Sequence, residues 1–377
     1  VLPVTMLFGT FAWQFVYVTL PFHVQAISPY DEPATLTWTG WILGISALVT
    51  VVTAPAWGRW AERGNPKTLY ILVELLQGIL FVGMALARTV VELFVARFVL
   101  GLVGAASTFA FVIAGRSATT TEVRREVAAV QSAMTIGQVI GPLAGALVAA
   151  RVGFRASFVV GGVILMTCAL TVWRLVPDPP PGEARARRGR GGFRDVLVAA
   201  AIILAGSSQI FFLPAILPRV MPDLGVAPAD TLGMSGFIIS ASGVAAALGS
   251  VVAPRLAEVT SERRLVAVLL VASSLSLVAF ALADSVMTYG VLRFVQVLCI
   301  APVFPIVVAR IAQHASGEAV GFVNSARIAA AFIGPVIATT MLARGPAPLL
   351  YAVLAAMTLA CLPLVLRERR PRSARSP

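Results

Sequence analysis

Long apolar runs separated by short polar breaks dominate this chain. Twelve runs of about 20 residues, the length that crosses a hydrocarbon core, can be placed. They lie at roughly 4 to 27, 37 to 57, 68 to 87, 92 to 115, 128 to 150, 156 to 175, 196 to 217, 233 to 254, 265 to 283, 287 to 310, 320 to 343 and 347 to 366. Such runs predict membrane-spanning helices and an all-α integral membrane fold. The breaks alternate in charge. Those after the second, fourth, sixth, eighth and tenth runs, with the C-terminal tail, carry most of the basic residues, including Arg59, Arg63, Lys67, Arg116, Arg124, Arg125, Arg174, Arg255, Arg263, Arg264 and Arg310. The opposite breaks hold only Arg88, Arg151, Arg155, Arg219 and Arg344. The positive-inside rule then predicts that both termini are cytoplasmic, in the inner or plasma membrane. No basic segment or small-residue cleavage site accompanies the first run, which is read as a retained span.

Composition removes whole classes of function. A chain of 377 residues that is 58% hydrophobic and 12% charged, with mean hydropathy +0.90, is too apolar for a soluble globule. Its net charge of +12 sits between apolar runs, so it signals topology and not nucleic-acid binding. Cys168, Cys299 and Cys361 are scattered, and neither His23 nor His314 stands at a ligand spacing from them, so no metal, cofactor or disulfide framework is expected. A Gly-x-x-x-x-Gly-Lys loop is missing, which argues against a nucleotide-driven pump and against an enzyme of that kind.

The chain repeats itself. Gln131 to Arg151 aligns without a gap on Asn324 to Arg344, with Ile140-Gly141-Pro142 on Ile333-Gly334-Pro335, a constant offset of 193 residues. Arg59-Trp60-Ala61-Glu62 matches Arg255-Leu256-Ala257-Glu258, and Arg97-Phe98-Val99 matches Arg293-Phe294-Val295, both at 196. Two related six-helix halves follow. Residues 1–176 form the first and 195–367 the second, joined by a Pro-, Gly- and Arg-rich cytoplasmic linker over 177–194 and followed by a basic tail over 368–377. Gly137, Gly141 and Gly145 fall on one helical face and predict close approach of a neighbouring helix, while Pro142 predicts a bend.

That stretch resembles the antiporter motif on the fifth helix of drug/proton exporters of the major facilitator superfamily, Gly-x-x-x-Gly-Pro-x-x-Gly-Gly, with Ala146 in place of the last glycine. Gly58-Arg59-Trp60-Ala61-Glu62-Arg63-Gly64-Asn65-Pro66-Lys67 resembles the family's loop between helices two and three. Glu62 replaces an aspartate there, Gly64 follows Arg63 directly, and Asn65-Pro66 precedes Lys67. The resemblance implies that Gly58, Glu62, Arg63, Gly64 and Lys67 form a conformational latch. Arg97, followed by Gly101, Gly104 and Ala105, is similar to the fourth-helix motif that exporters link to proton coupling, with a spacing that departs by one residue. The implied fold is the major facilitator fold, twelve transmembrane helices in two pseudo-symmetric halves. The implied mechanism is rocking of those halves about a midplane site.

Polar residues inside the spans are the candidates for that site. Arg97, Arg293 and Arg327 are costly at such depth, and only Glu74 among the carboxylates clearly lies within a span. Glu74 and Arg97 are the proton-coupling candidates, with Glu62, Glu92 and His23 behind them. Gln14, Tyr17, Arg97, Gln138, Gln209, Arg293, Gln296, Asn324 and Arg327 are expected around a substrate cavity, beside Trp13, Phe15, Ser207, Ser208, Phe211 and Phe212. Three readings follow. The first is a monomeric secondary transporter exporting amphipathic small molecules in exchange for protons. The second is an exporter of a specific anionic metabolite or siderophore held by Arg97 and Arg293. The third is a non-transporting receptor or scaffold.

Overall fold

The computed structural model describes residues 1–115, 120–178, 193–314 and 317–367. Most of the predicted linker and the whole of the basic tail therefore lie outside the described residues. The first half comprises α1 (Leu2–Ile27), α2 (Glu32–Arg63), α3 (Pro66–Leu86), α4 (Val90–Leu102) continued by α5 (Ala106–Gly115), α6 (Thr120–Val152) and α7 (Phe154–Leu175). The second comprises α8 (Phe193–Phe211) continued by α9 (Leu213–Asp223), α10 (Pro228–Val259), α11 (Glu262–Ala279), α12 (Val286–Ile300) continued by α13 (Val303–His314), α14 (Gly317–Leu342), and α15 (Ala347–Leu359) continued by α16 (Leu362–Arg367). These make twelve spans long and apolar enough to cross a membrane. Both ends of the described chain lie on one side of the bundle, called here the termini side. The opposite side carries the turns at 28–31 and 224–227.

Local sequence sets the helix ends. Asp31, Asn65, Thr89, Ser261 and Ser285 each accept a hydrogen bond from a first-turn amide of the helix that follows. Proline occupies the first turn of α2, α3, α10 and α15, where no backbone donor is lost.

Four predicted spans are broken, and three of the breaks have a visible cause or remedy. Between α8 and α9, Pro214 offers no amide to the Ile210 carbonyl, and Arg293 Nη2 donates to it instead at 2.8 Å. Pro302 lies in the break between α12 and α13, and Pro305 in the first turn of α13. Between α4 and α5 no proline intervenes, yet Gly101, Leu102 and Val103 present carbonyls that side chains take up. Thr50 Oγ1 donates at 3.0 Å, Trp57 Nε1 at 2.7 Å and Gln77 Nε2 at 2.6 Å. Non-helical backbone at membrane depth persists only when its polar groups are satisfied in this way.

The duplicated helices α6 and α14 do equivalent work in their halves. Each lays its glycine on the first span of its own half. A side chain at Gly141 would collide with Gln14 and the Phe11 carbonyl of α1, and one at Gly334 would crowd Ser208 and Phe212 at the end of α8. Gly137 and Gly145 likewise leave no room between α6 and the α1 backbone, as the glycine spacing predicts. Each turns its proline toward the other half. The Pro142 carbonyl faces Gly236 of α10, and the Pro335 carbonyl faces Gly40 of α2. Gly40 and Gly236 themselves stand 196 residues apart, at the offset of the duplication.

Candidate functional site

These two seams decide which way the molecule is open. Along α2 and α14, Gly40 and Gly44 accept Thr339, Pro335 and Phe332, and Trp41 meets Phe332 edge to face at 5.4 Å. Along α6 and α10, the Leu143 amide donates to Ser240 Oγ at 3.0 Å, and Gly243 receives Val139. At the far edge, Arg219 at the end of α9 forms an ion pair with Glu32 at the start of α2 and a second with Asp223 at 2.7 Å. One apolar cluster runs through both halves on this side, joining Leu20, Val24 and Leu43 with Leu217, Met221 and Tyr351. On the termini side the clusters are separate. One, around Trp57, Tyr70 and Phe109, draws only on the first half, and another, around Ile203, Leu270 and Val307, only on the second. Among the described residues, the halves are therefore sealed at the far side and parted at the termini side.

The structure sorts the predicted cavity residues into two groups. Arg97, Gln209, Arg293 and Gln296 are buried to 3% exposure or less and are already occupied. Arg97 donates from Nε to the Ile42 carbonyl at 3.0 Å and from Nη2 to the Leu43 carbonyl at 2.9 Å, with its guanidinium 5.7 Å from the Trp13 ring centre. Arg293 serves the Gln209 and Ile210 carbonyls at 2.8 Å, Gln296 Oε1 at 2.7 Å and Ser242 Oγ at 3.2 Å. Gln209 holds Ser274 of α11 and Thr358 of α15, and Gln296 reaches back to Gln209 Oε1. These four knit helices together: their recorded hydrogen bonds go to backbone carbonyls, to one another and to the Ser242, Ser274 and Thr358 hydroxyls. The two arginines of the expected anion clamp thus both spend donors on backbone carbonyls.

The other group is uncommitted. The side chains of Gln14, Tyr17, Gln138 and Arg327 are partly exposed, that of Asn324 is exposed, and none makes a hydrogen bond with the described residues. Tyr17 lies close enough to Arg97 to feel its charge. Gln14 packs at Gly141 of α6, and Pro142 leaves the Gln138 carbonyl, which faces Gly243 of α10, without its helical donor. Arg327 stacks over the Phe304 ring at 4.7 Å. These uncommitted side chains are carried by α1, α6 and α14, and α6 and α14 also carry the seams.

Glu74 is sealed within the first half at 2% exposure. Its Oε1 would stand 3.2 Å from a side chain at Gly9, so that glycine makes its room. Its Oε2 has no hydrogen-bond partner, and Tyr70 and Cys168 are the polar side chains beside it. No ion pair to it occurs among the described residues. His23, a weaker candidate, is boxed by Phe154 and Phe158. Glu92 caps the start of its own helix by accepting the Arg88 amide at 2.7 Å.

The predicted latch loop is only partly described, because the side chain of Glu62 lies outside the described residues. Arg63 and Gly64 are exposed, and nothing approaches Gly58. Lys67 Nζ lies 3.5 Å from Asp178, and Asn65 Nδ2 donates to the same carboxylate at 3.1 Å. The Asn65 hydrogen bond and the Lys67 charge hold the Asp178 carboxyl below its usual range. These bonds tie the loop to the start of the predicted linker. Sequence reasoning missed the ion pairs of Arg219, the carbonyl caps Thr50, Trp57 and Gln77, and the seam glycines. Only the last left a signal, the repeated offset of Gly40 and Gly236. No group of three or more His, Cys, Asp or Glu side chains that could hold a metal occurs among the described residues.

A search of family models matches the Major Facilitator Superfamily over residues 4–213 and again over 197–377. Over 332 residues the chain is 22% identical to an uncharacterized MFS-type transporter, YuxJ, of Bacillus subtilis, covering 84% of this chain and 83% of that protein. Multidrug resistance protein MdtG of Erwinia billingiae is 25% identical over 331 residues, covering 83% and 78%. Among solved structures, a bacterial homologue of the human lysosomal transporter Spinster, in an inward-facing and occupied conformation, superposes with a TM-score of 0.74 at 14% identity. That match covers 97% of this chain and 93% of that one. The matched family model spans both halves and agrees with the twelve-helix architecture: this chain belongs to the major facilitator superfamily and is a multi-pass membrane transporter, not an enzyme.

Proposed function

We propose that the protein exports amphipathic small molecules from the cytoplasm across a bacterial-type inner membrane, by alternating access and in exchange for protons. The termini side is then cytoplasmic, and the state described faces inward, ready to load. One observation carries this reading: the halves seal at one side only, and the polar side chains left without partners sit on the helices that rock. The Phe304 ring against Arg327 offers apolar surface of the kind that suits an amphiphile. The antiporter-like motif on α6 and the similarity to a multidrug resistance protein support export over uptake. Glu74 is the proton carrier we assign, because a carboxyl sealed in apolar surroundings with one oxygen unpartnered and no cation is costly to keep charged there.

Proteoliposomes with an imposed pH gradient test this. Flux of a lipophilic dye is expected to follow the gradient and to carry protons in the opposite direction. Glu74→Gln, which keeps shape and loses the proton, is expected to leave downhill dye flux intact while abolishing its dependence on the gradient. Dye flux indifferent to pH in the unsubstituted protein overturns the exchange, and no flux of any solute overturns transport of this class.

A further inference from the structure

The internal duplication offers a control for every intramembrane arginine. Arg97 and Arg293 occupy matched places, and both satisfy backbone carbonyls of a neighbouring helix, so the fold itself calls for a cation there in each half. Arg327 differs. At the 193-residue offset its counterpart is Met134, which packs in the first half's apolar cluster with Phe109. The architecture is therefore content with a flexible apolar side chain at this position. The second half places a cation there, at a cost that membrane interiors impose on any charge.

Nothing described repays that cost internally. Arg327 has neither a hydrogen bond nor an ion pair with the described residues, and its guanidinium lies over the face of Phe304 on α13. Stacking uses the flat face of a guanidinium and leaves the donors around its edge free, in the fork that matches a carboxylate, sulfonate or phosphate. Arg327 stands five residues toward the termini side from Phe332, the seam residue that meets Trp41 and Gly44. At about 1.5 Å per residue it lies some 7 to 8 Å from Phe332 along the helix axis, toward the termini side. Its side chain is half-buried, and the Phe304 ring beside it supplies apolar surface.

We propose that Arg327 is a substrate-anchoring residue and that the cargo is an amphipathic organic anion, its oxyanion group on the guanidinium edge and its apolar body along Phe304. This rests on the export reading above and narrows it to one charge class. The full chain in lipid nanodiscs tests it by equilibrium binding of 2-naphthalenesulfonate and of the neutral 2-naphthalenemethanol, which shares the ring system. The unsubstituted protein is expected to bind the sulfonate at least tenfold more tightly. Arg327→Met, which copies the first half, is expected to erase that preference and leave the alcohol's affinity unchanged. Arg327→Lys should retain part of it. Should Arg327→Met fail to fold, Arg327→Gln makes the same comparison. Equal affinities in the unsubstituted protein, no binding of either compound, or a sulfonate preference surviving the loss of the cation each overturn the assignment. Proton-coupled dye flux by the unsubstituted protein is a separate readout: its absence sinks the export reading whatever the sulfonate does, and its presence leaves the anion assignment to stand or fall on binding alone.

Discussion

Arg293 shows how a residue that looks like a binding group becomes a structural one. Its guanidinium reaches Gln209, Ile210, Gln296 and Ser242, and it holds the carbonyl that Pro214 strands. Removing one partner of a buried, fully bonded charge typically costs about 3 to 5 kcal/mol. Arg293→Ala is therefore expected to lower the apparent melting temperature steeply, and Arg293→Lys to recover only part of it, because an ammonium cannot fork between two carbonyls. A thermal unfolding series in detergent checks this, and an unchanged melting temperature would return Arg293 to the cavity. The sequence could not separate the two roles. Arg97, Arg293 and Arg327 all read as charges inside apolar runs, and what distinguishes them is which backbone carbonyls lie within reach. The alignment of the halves does contain the distinction, since two of the three arginines repeat and one does not.

Among elements, α6 and α14 matter most, because each faces its own half with a glycine and the other half with a proline. Their opposite numbers across the seams, Gly236 and Gly40, have no space for a side chain. Gly40→Val and Gly236→Val are each expected to wedge the far side apart while leaving each half intact, since both seams form between halves. Cysteine accessibility from the far side should then rise for positions such as Thr339, now buried against α2. Unchanged protection would mean that the seams do not set the closed side. The Arg219 ion pairs add less, since exposed salt bridges contribute about 0 to 1 kcal/mol. The twelve spans and the duplication were legible because apolar length and a repeated motif are written directly in the residues. The breaks were not. Gly101 to Val103 contains no proline, and its departure from helix depends on Thr50, Trp57 and Gln77 arriving from α2 and α3.

At the scale of the whole molecule, the claim is that the halves exchange one sealed side for the other. The far side shares one apolar cluster and the termini side has two, so the present state is one end of that exchange. Helices α6 and α10 run the full depth on opposite sides of the seam, with exposed positions at both ends. Spin labels at Ala128 and Arg255 report the termini side, and labels at Arg151 and Asp230 the far side, in a chain whose three native cysteines are replaced by alanine. Pulsed dipolar distances between each pair, measured in nanodiscs with and without a bound amphiphile and at two pH values, test the exchange directly. The account predicts opposite changes, the termini-side distance shortening in the same population in which the far-side distance lengthens. Distances that stay fixed under every condition, or that rise and fall together, would contradict it.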